Sequence, residues 1–183
     1  MSAAPIPYQT AHPFALLQAL ERRLQAGANV AAAGGPVTWD GLAFRVRNQW
    51  CVAPAGEIRE VLPLPGHTRI PGAKPWLMGL ANLRGVIVPL IDLAAFLGMA
   101  KSPSLPTSRL LLLNSSREPL GFLVDEAAGQ RRFSANEQCH DALDEAPAFR
   151  DVALGAFERN GTVQLAISLR RLAASEGFAH AGW

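Results

Sequence analysis

The sequence predicts a mainly β protein in which two small barrels pack side by side and share a hydrophobic core, with short helices at strand ends. About eight to ten apolar runs have the length of strands and are separated by turn residues. Hydrophobic residues make up 49% of the chain and charged residues only 17%. Closing each sheet protects its edges, and an interface between two lobes gives the excess apolar residues a buried position.

The composition limits the class of protein. A chain of 183 residues is long enough for one large domain or two small lobes. The net charge is +2, the only lysines are Lys74 and Lys101, and no run of Lys or Arg exceeds two residues. This argues against nucleic-acid binding, which needs clustered cations. Cys51 and Cys139 form no CxxC pair, and no signal-peptide pattern opens the chain, so we expect reduced thiols in a cytoplasmic protein.

The first 40 residues are predicted to be an extension of the main domain. Phe14, Leu17 and Leu24 recur at helical spacing, which predicts a helix of about a dozen residues. The segment Gly27–Pro36 is rich in Gly and Ala and predicts a flexible linker. The predicted boundaries are 1–40 for the arm, helix and linker, 41–176 for the two-lobed domain, and 177–183 for a frayed C-terminal tail.

Two strands are expected before the central hairpin. Leu42–Val46 alternates between apolar and polar residues, as a half-buried strand does, and Trp50–Ala53 forms the next strand after a turn at Asn48-Gln49. Glu57–Leu62 is too short for its pattern to distinguish a helical turn from a strand. Residues 63–75 contain four prolines and predict an extended connector.

The central stretch of the chain is a pair of apolar runs around one basic tip. Leu77–Leu83 and Val86–Ile91 are joined only by Arg84 and Gly85, which is the spacing of a tight β-hairpin. Glycine accepts a positive φ at the second turn position. The geometry places the Arg84 side chain outside the core, at or beside the tip. Arg84 and Asp92 also argue against a membrane span, because each charge is costly in a bilayer.

The second run ends in a short helix. Asp92 is expected to be the N-cap of Leu93–Leu97, and Gly98 supplies the usual stop. Pro89 cannot donate to a ladder, so an edge or a bulge is expected there.

A second lobe is expected from about residue 109, with the hairpin 77–91 in the first lobe. Arg109–Leu113, Leu120–Val124 and Ala127–Phe133 are its first three candidate strands.

The clearest hairpin signal follows these strands. Asn160-Gly161 joins Val152–Arg159 to Thr162–Ile167, because both of its residues accept positive φ. Ser168 is then expected to cap a terminal helix, Leu169–Glu176.

No pattern of catalytic or metal-binding residues is complete. Cys139-His140 is a possible zinc or nucleophile pair, but incidental surface residues explain it better because no companion ligand is near. An acidic stretch could bind calcium, but it lacks the DxDxDG pattern and is better explained as a solvated helix face. Its members are Glu137, Asp141, Asp144 and Glu145. We therefore expect no enzyme, no cofactor and no metal.

Arg84 is the remaining candidate. A hairpin fixes its backbone, and its five donors suit a partner's carboxylate or carbonyl groups. The alternative is a solvated turn charge with no energetic role. The apolar neighbours Leu83 and Val86 favour an interaction surface, because binding hot spots combine arginine with apolar contacts.

Four segments carry a resemblance to a known family: GLANLRGVIVPLIDL at Gly79–Leu93, EIREVL at Glu57–Leu62, TRIP at Thr68–Pro71 and GFLVDEAAG at Gly121–Gly129. The first resembles the signature hairpin of the CheW-like domain, which links chemoreceptors to the chemotaxis histidine kinase. The second resembles the strand-end element of that family, the third stands at the expected distance before the hairpin, and the fourth resembles the G-x-x-V-D-x-V segment. The resemblance covers residues from about 41 to 174. It is strongest to the members that serve the type IV pilus system and twitching motility.

The resemblance implies two SH3-like five-stranded barrels around a common hydrophobic centre, and an adaptor without catalysis. Its implied partners are the cytoplasmic tip of a chemoreceptor and the regulatory domain of a CheA-type histidine kinase, with no nucleic acid and no membrane insertion. The protein would be cytoplasmic and recruited to membrane-associated receptor arrays. The residues that would form or support receptor contact are Arg84, Asn82, Gly85, Ile58 and Glu60.

Two alternatives stay open. One is an adaptor for flagellar chemotaxis. The other is a small-ligand sensor that uses the cleft between the lobes, which would need a convergent polar pocket.

Overall fold

A computed structural model describes residues 38–115, 119–139 and 146–179. The predicted N-terminal arm and helix, and the predicted linker up to residue 37, lie outside these ranges, as do residues 116–118, 140–145 and 180–183. Residues 38–40, which were predicted to belong to the linker, are instead the start of the first strand. Eleven strands are described: β1 (Thr38–Val46), β2 (Gln49–Pro54), β3 (Ile58–Pro63), β4 (Leu77–Leu83), β5 (Val86–Asp92), β6 (Arg109–Leu113), β7 (Gly121–Val124), β8 (Glu126–Ser134), β9 (Gln138–Cys139), β10 (Ala153–Arg159) and β11 (Thr162–Ile167). Three one-turn helices accompany them: α1 (Leu93–Phe96), α2 (Leu169–Ala173) and α3 (Glu176–Ala179).

The strands form two sheets, which confirms the mainly β prediction. The six-stranded sheet has the order β8-β1-β2-β11-β10-β9, and the five-stranded sheet has the order β3-β6-β7-β5-β4. The predicted division of the lobes along the chain is wrong: the hairpin β4–β5 shares its sheet with β6 and β7, whereas β8 pairs with β1. The chain crosses from the six-stranded to the five-stranded sheet after β2 and returns after β7. Within each sheet, one parallel pair joins strands that are distant in sequence: β2–β11 in the first and β5–β7 in the second.

The lobes are curled sheets rather than fully hydrogen-bonded barrels in the part of the chain that is described. The edge strands of the six-stranded sheet, β8 and β9, are consecutive and are joined by a 3-10 turn at Ala135–Glu137. That sheet also has six strands instead of the expected five, because the two-residue β9 pairs with β10. The turn between β8 and β9 protects these two edge strands although no continuous hydrogen-bond ladder closes the sheet.

One apolar cluster joins the two sheets. Phe44 of β1 and Leu165 of β11 lie in it together with Ile91 of β5 and Leu111 of β6, and all four side chains are fully buried. Each lobe also has a smaller cluster of its own; the one in the five-stranded sheet contains Val88. The predicted common hydrophobic core is therefore present, and it fills the space between the sheets.

The hairpin β4–β5 is built as its sequence predicts. Leu83 pairs with Val86 across a two-residue turn. Pro89 lies opposite Leu80 in the register of β4 and β5. The N–H and C=O of Leu80 bond Thr68 of the connector instead, so the missing N–H of Pro89 leaves no acceptor of Leu80 without a partner. Pairing of β5 with β7 begins only at Leu90, so Pro89 also avoids that ladder.

The helix caps and one turn can be compared directly with expectation. The Asp92 carboxylate accepts from Ala95 N at 3.2 Å, which confirms the cap of α1. The turn after β1 is Arg47-Asn48 rather than Asn48-Gln49, because Arg47 takes the positive φ of 55° and Gln49 already pairs with Val46.

The C-terminal helix is shorter than predicted, and residues 177–179 of the predicted frayed tail form part of a helical turn. The chain forms α2 and α3 as separate turns, and the second includes Gly177, which was predicted to lie in the tail. Phe178 was assigned to a frayed tail, but its ring stacks on Trp76 with centroids 5.4 Å apart and also contacts Phe96. Aromatic burial explains why these residues pack on the domain. In the described ranges, no helix has the length and hydrophobicity needed to span a bilayer.

Candidate functional site

The candidate site is the tip of the β4–β5 hairpin. Arg84 and Gly85 have φ values of 54° and 87°, the pattern of a type I′ turn. The Asn82 side-chain oxygen accepts from the Gly85 N–H at 2.8 Å and ties the turn together. The Arg84 side chain is 80% exposed although its backbone is fixed. The structure therefore brings three predicted site residues together and presents one guanidinium to solvent.

Glu60 meets Arg84 at the same tip. Arg84 Nη2 donates to Glu60 Oε1 at 2.7 Å, and Glu60 lies on β3, the opposite edge strand of the same five-stranded sheet. The pair therefore connects the two edges across the open side of the lobe. Such an exposed pair contributes at most about 1 kcal/mol to stability. Its main effect is to orient the guanidinium while leaving most of it accessible.

Two aliphatic side chains extend the surface. Val86 is 50% exposed and Ile87 is 55% exposed, directly after the turn. Sequence reasoning noted Val86 beside Arg84 but did not name Ile87, because a continuous apolar run normally indicates a buried strand. The run is exposed at its start because β5 extends beyond β7, which pairs only with Leu90–Asp92. Exposed apolar residues beside an arginine are typical of a protein-binding surface.

Ile58 does not join this surface. Its side chain is partly buried and packs against the cluster shared by the two sheets. The β3–β6 register shifts between Ile58 and Glu60, so a bulge separates the two residues. Ile58 therefore supports the position of β3 and has no contact with the hairpin tip among the described interactions.

A buried carboxylate anchors the strand that carries Glu60. Glu57, 1% exposed, precedes β3 and accepts from Ser168 Oγ at 2.7 Å and from Arg170 N at 3.2 Å. Its backbone oxygen accepts from Asn114 N at 2.7 Å, so it links the start of α2 to the end of β6. Burial raises the pKa of Glu57, and the hydrogen bonds that its carboxylate accepts from Ser168 and Arg170 oppose that shift. Sequence reasoning missed this role, because its partners lie more than 50 residues away along the chain.

The other candidates of the sequence have structural partners or lie outside the described ranges. Glu137 forms a bidentate ion pair with Arg159, which lowers the pKa of Glu137 to about 2. Cys139 is half-buried on β9, whereas His140, Asp141, Asp144 and Glu145 are not described. Within residues 38–115, 119–139 and 146–179, no group of three metal-ligating side chains comes together.

The comparisons with known proteins agree with this architecture. A family model for the CheW-like domain matches residues 40–177. Protein PilI of Pseudomonas aeruginosa is 35% identical over 172 residues, which cover 91% of this chain and 94% of PilI. A probable chemotaxis protein CheW of Rhizobium etli is 36% identical over 86 residues, covering 46% of this chain and 54% of that protein.

The fold is also similar to that of a solved structure. The scaffolding protein TtCheW from Thermoanaerobacter tengcongensis aligns with a TM-score of 0.65 at 21% identity, covering 77% of this chain and 96% of TtCheW. At this identity the similarity supports the two-sheet fold alone. The family model and the full-length match to PilI together show that the chain belongs to the CheW-like domain family of chemotaxis scaffold and adaptor proteins.

Proposed function

We propose that this protein couples a methyl-accepting chemoreceptor to a CheA-type histidine kinase in a system that controls type IV pili and twitching motility. The observation that carries the proposal is the hairpin tip. Arg84 is held by a rigid turn, oriented by Glu60 and flanked by exposed Val86 and Ile87. This combination suits a protein partner better than a small substrate, because exposed aliphatic side chains lie beside one strong donor.

The receptor is the partner proposed for this tip. The cytoplasmic end of a chemoreceptor is helical, and a helix presents carboxylates and apolar side chains on one face. Arg84 would bind a carboxylate or a carbonyl oxygen, and Val86 and Ile87 would pack against the apolar side chains. Asn82 and Gly85 would act indirectly by fixing the turn, and Ile58 by positioning β3.

The pilus assignment and the kinase rest on the family and on its relative. The alignment with PilI spans nearly the whole chain, whereas that with the CheW protein of Rhizobium etli spans about half of it. The kinase regulatory domain would dock elsewhere on the two lobes. The protein would then be cytoplasmic and reach the membrane only through the receptor array. The alternative inter-lobe sensor is less favoured, because the shared apolar cluster occupies the space between the sheets.

The test is binding by a folded Arg84→Ala variant. The dissociation constant for a receptor-tip fragment should rise about ten-fold or more, as at a hot spot. Stability should fall by less than about 1 kcal/mol, because the ion pair with Glu60 is exposed. Circular dichroism and urea unfolding give the stability, and surface plasmon resonance gives the affinity.

A matched control keeps the charge change constant. Arg131→Ala removes an exposed arginine from β8 in the other lobe, and receptor binding should not change. Unchanged receptor binding by folded Arg84→Ala would remove Arg84 from the site. Failure of the wild-type protein to co-purify with any histidine kinase would instead contradict the adaptor function itself.

A further inference from the structure

A second surface feature lies at the other end of the same hairpin. A cleft of about 370 Å³ lies between the connector that precedes β4 and the segment that follows α1. Leu77 and Met78, at the start of β4, contribute to its wall. The strand from Leu77 to Leu83 is about 20 Å long at the usual rise per residue, so the cleft is distinct from the Arg84 tip.

The charge of this cleft is not balanced internally. Arg69, Lys74 and Lys101 all line it, and the two lysines are the only ones in the chain. No carboxylate of a described residue lies within ion-pair distance of these three side chains. Asp92 is the one acidic residue in the lining, but it is buried, and its oxygens accept from Ala95 N and from Ser102 N. Three cationic side chains thus line one cleft, and none of them has an ion-pair partner in the described part of the chain.

The backbone under each cation is fixed. Thr68, next to Arg69, exchanges two hydrogen bonds of 2.9 Å with Leu80 of β4. The Lys74 carbonyl accepts from Leu77 N at 2.9 Å. Ser102, next to Lys101, donates its N–H to Asp92 Oδ2 at 2.9 Å. A ligand would therefore need to order the three side chains but not the backbone that carries them, which lowers the entropic cost of binding.

The remaining lining defines the class of ligand. Leu64, Ile70 and Met78 provide apolar walls, and His67 and Ser104 add polar groups. The volume falls in the range of small-molecule sites, about 300–1,000 Å³. We propose that this cleft binds a small organic anion with two or more negative charges, such as a phosphomonoester, held by Arg69, Lys74 and Lys101. This inference does not depend on the proposed adaptor function.

The two lysines make a direct test possible. The full chain labelled with ¹³C-lysine has only Lys74 and Lys101 as labelled side chains, and single Lys→Arg variants assign their signals. Inorganic pyrophosphate is titrated at constant ionic strength, with sodium chloride as the balancing salt. Both signals should move and saturate with one common dissociation constant. Signals that saturate independently, or that drift without saturation as they do with chloride, would contradict a shared site.

Variants separate the cleft from the general charge of the protein. The double variant Lys74→Ala/Lys101→Ala should weaken pyrophosphate binding about ten-fold or more by calorimetry, because two charge-assisted contacts are lost. The control Arg59→Ala/Arg131→Ala removes the same charge from exposed positions outside the cleft and should change affinity by less than about two-fold, since salt screens distant charges.

Three further results would overturn the proposal. An equal loss of affinity in the control would mean that overall charge, and not the cleft, attracts the anion. Saturable binding of a poly-glutamate peptide without saturable binding of pyrophosphate would identify the cleft as a docking surface for an acidic protein segment. Phenyl phosphate should bind more tightly than inorganic phosphate, because only the former reaches the apolar walls; equal affinities would contradict an organic ligand.

Discussion

Gly79 on β4 is the position where a single methyl group should perturb the hairpin most. Its φ is 145°, and a Cβ built on it would lie 2.1 Å from the Thr68 carbonyl oxygen. That oxygen accepts from Leu80 N, and Thr68 N donates to Leu80 O, both at 2.9 Å. Alanine at this position therefore forces the connector away from β4, because the clash is with backbone and cannot be relieved by a side-chain rotation.

The magnitude follows from two contributions. An alanine held at this φ costs about 1–3 kcal/mol. Loss of the two backbone hydrogen bonds with Thr68 costs about 0.5–1.5 kcal/mol each. Gly79→Ala should thus lower the free energy of unfolding by about 2–6 kcal/mol, which corresponds to a fall in Tm of about 6–18 °C for a domain of this size.

Urea unfolding followed by circular dichroism measures this change. Gly66→Ala is the matched control, because a Cβ on Gly66 meets no atom within 4 Å and Gly66 has no positive φ. The control should be neutral or slightly stabilising, since alanine restricts the unfolded chain. A loss below about 0.5 kcal/mol for Gly79→Ala would refute the reasoning that the connector is fixed against β4.

Further substitutions test buried or paired charges. Glu137→Gln should lose about 1–2 kcal/mol at pH 7, a value reduced for partial exposure of the ion pair with Arg159. The contribution of Glu137 to the free energy of unfolding is present above pH 4.5 and disappears as pH falls through about 2, because the pKa of Glu137 is lowered in the folded state. Equal stability of the wild type and the variant at pH 7 would contradict this prediction. Glu57→Ala should lower the free energy of unfolding in urea by about 2–3 kcal/mol, because the Ser168 hydroxyl loses a buried acceptor. A loss below about 0.5 kcal/mol would show that water replaces the carboxylate as acceptor. Burial raises the Glu57 pKa, so its carboxylate should destabilise the fold as pH rises above 4.5, and Glu57→Gln should flatten that part of a pH–stability curve. A double-mutant cycle on Arg84→Ala and Glu60→Ala should give a coupling below about 1 kcal/mol; a larger value would mean that the pair is structural.

The elements that were predicted correctly have local causes. The Arg84-Gly85 and Asn160-Gly161 hairpins follow from two-residue loops that contain residues able to accept positive φ, namely Gly85, Asn160 and Gly161. These three residues have positive φ in the structure, and so does Arg84. The cap of α1 by Asp92 likewise needs only residues within three positions. The packing of Phe178 on the domain was not predicted, because it depends on Trp76, about 100 positions away along the chain. No local pattern contains such a contact.

The sequence by itself determined most of the strands and the two tight hairpin turns, because alternation and turn chemistry act over a few neighbouring residues, and its motifs indicated the family. It left β3 undecided and did not predict β9. Tertiary structure decided which strands share a sheet, because apolar faces pack without regard to chain order. It also decided that Glu60 meets Arg84, that Ile58 turns to the core, and that cations from two separate loops line one cleft. Those contacts depend on the crossing between lobes, which is set by burial of the common core rather than by any short segment.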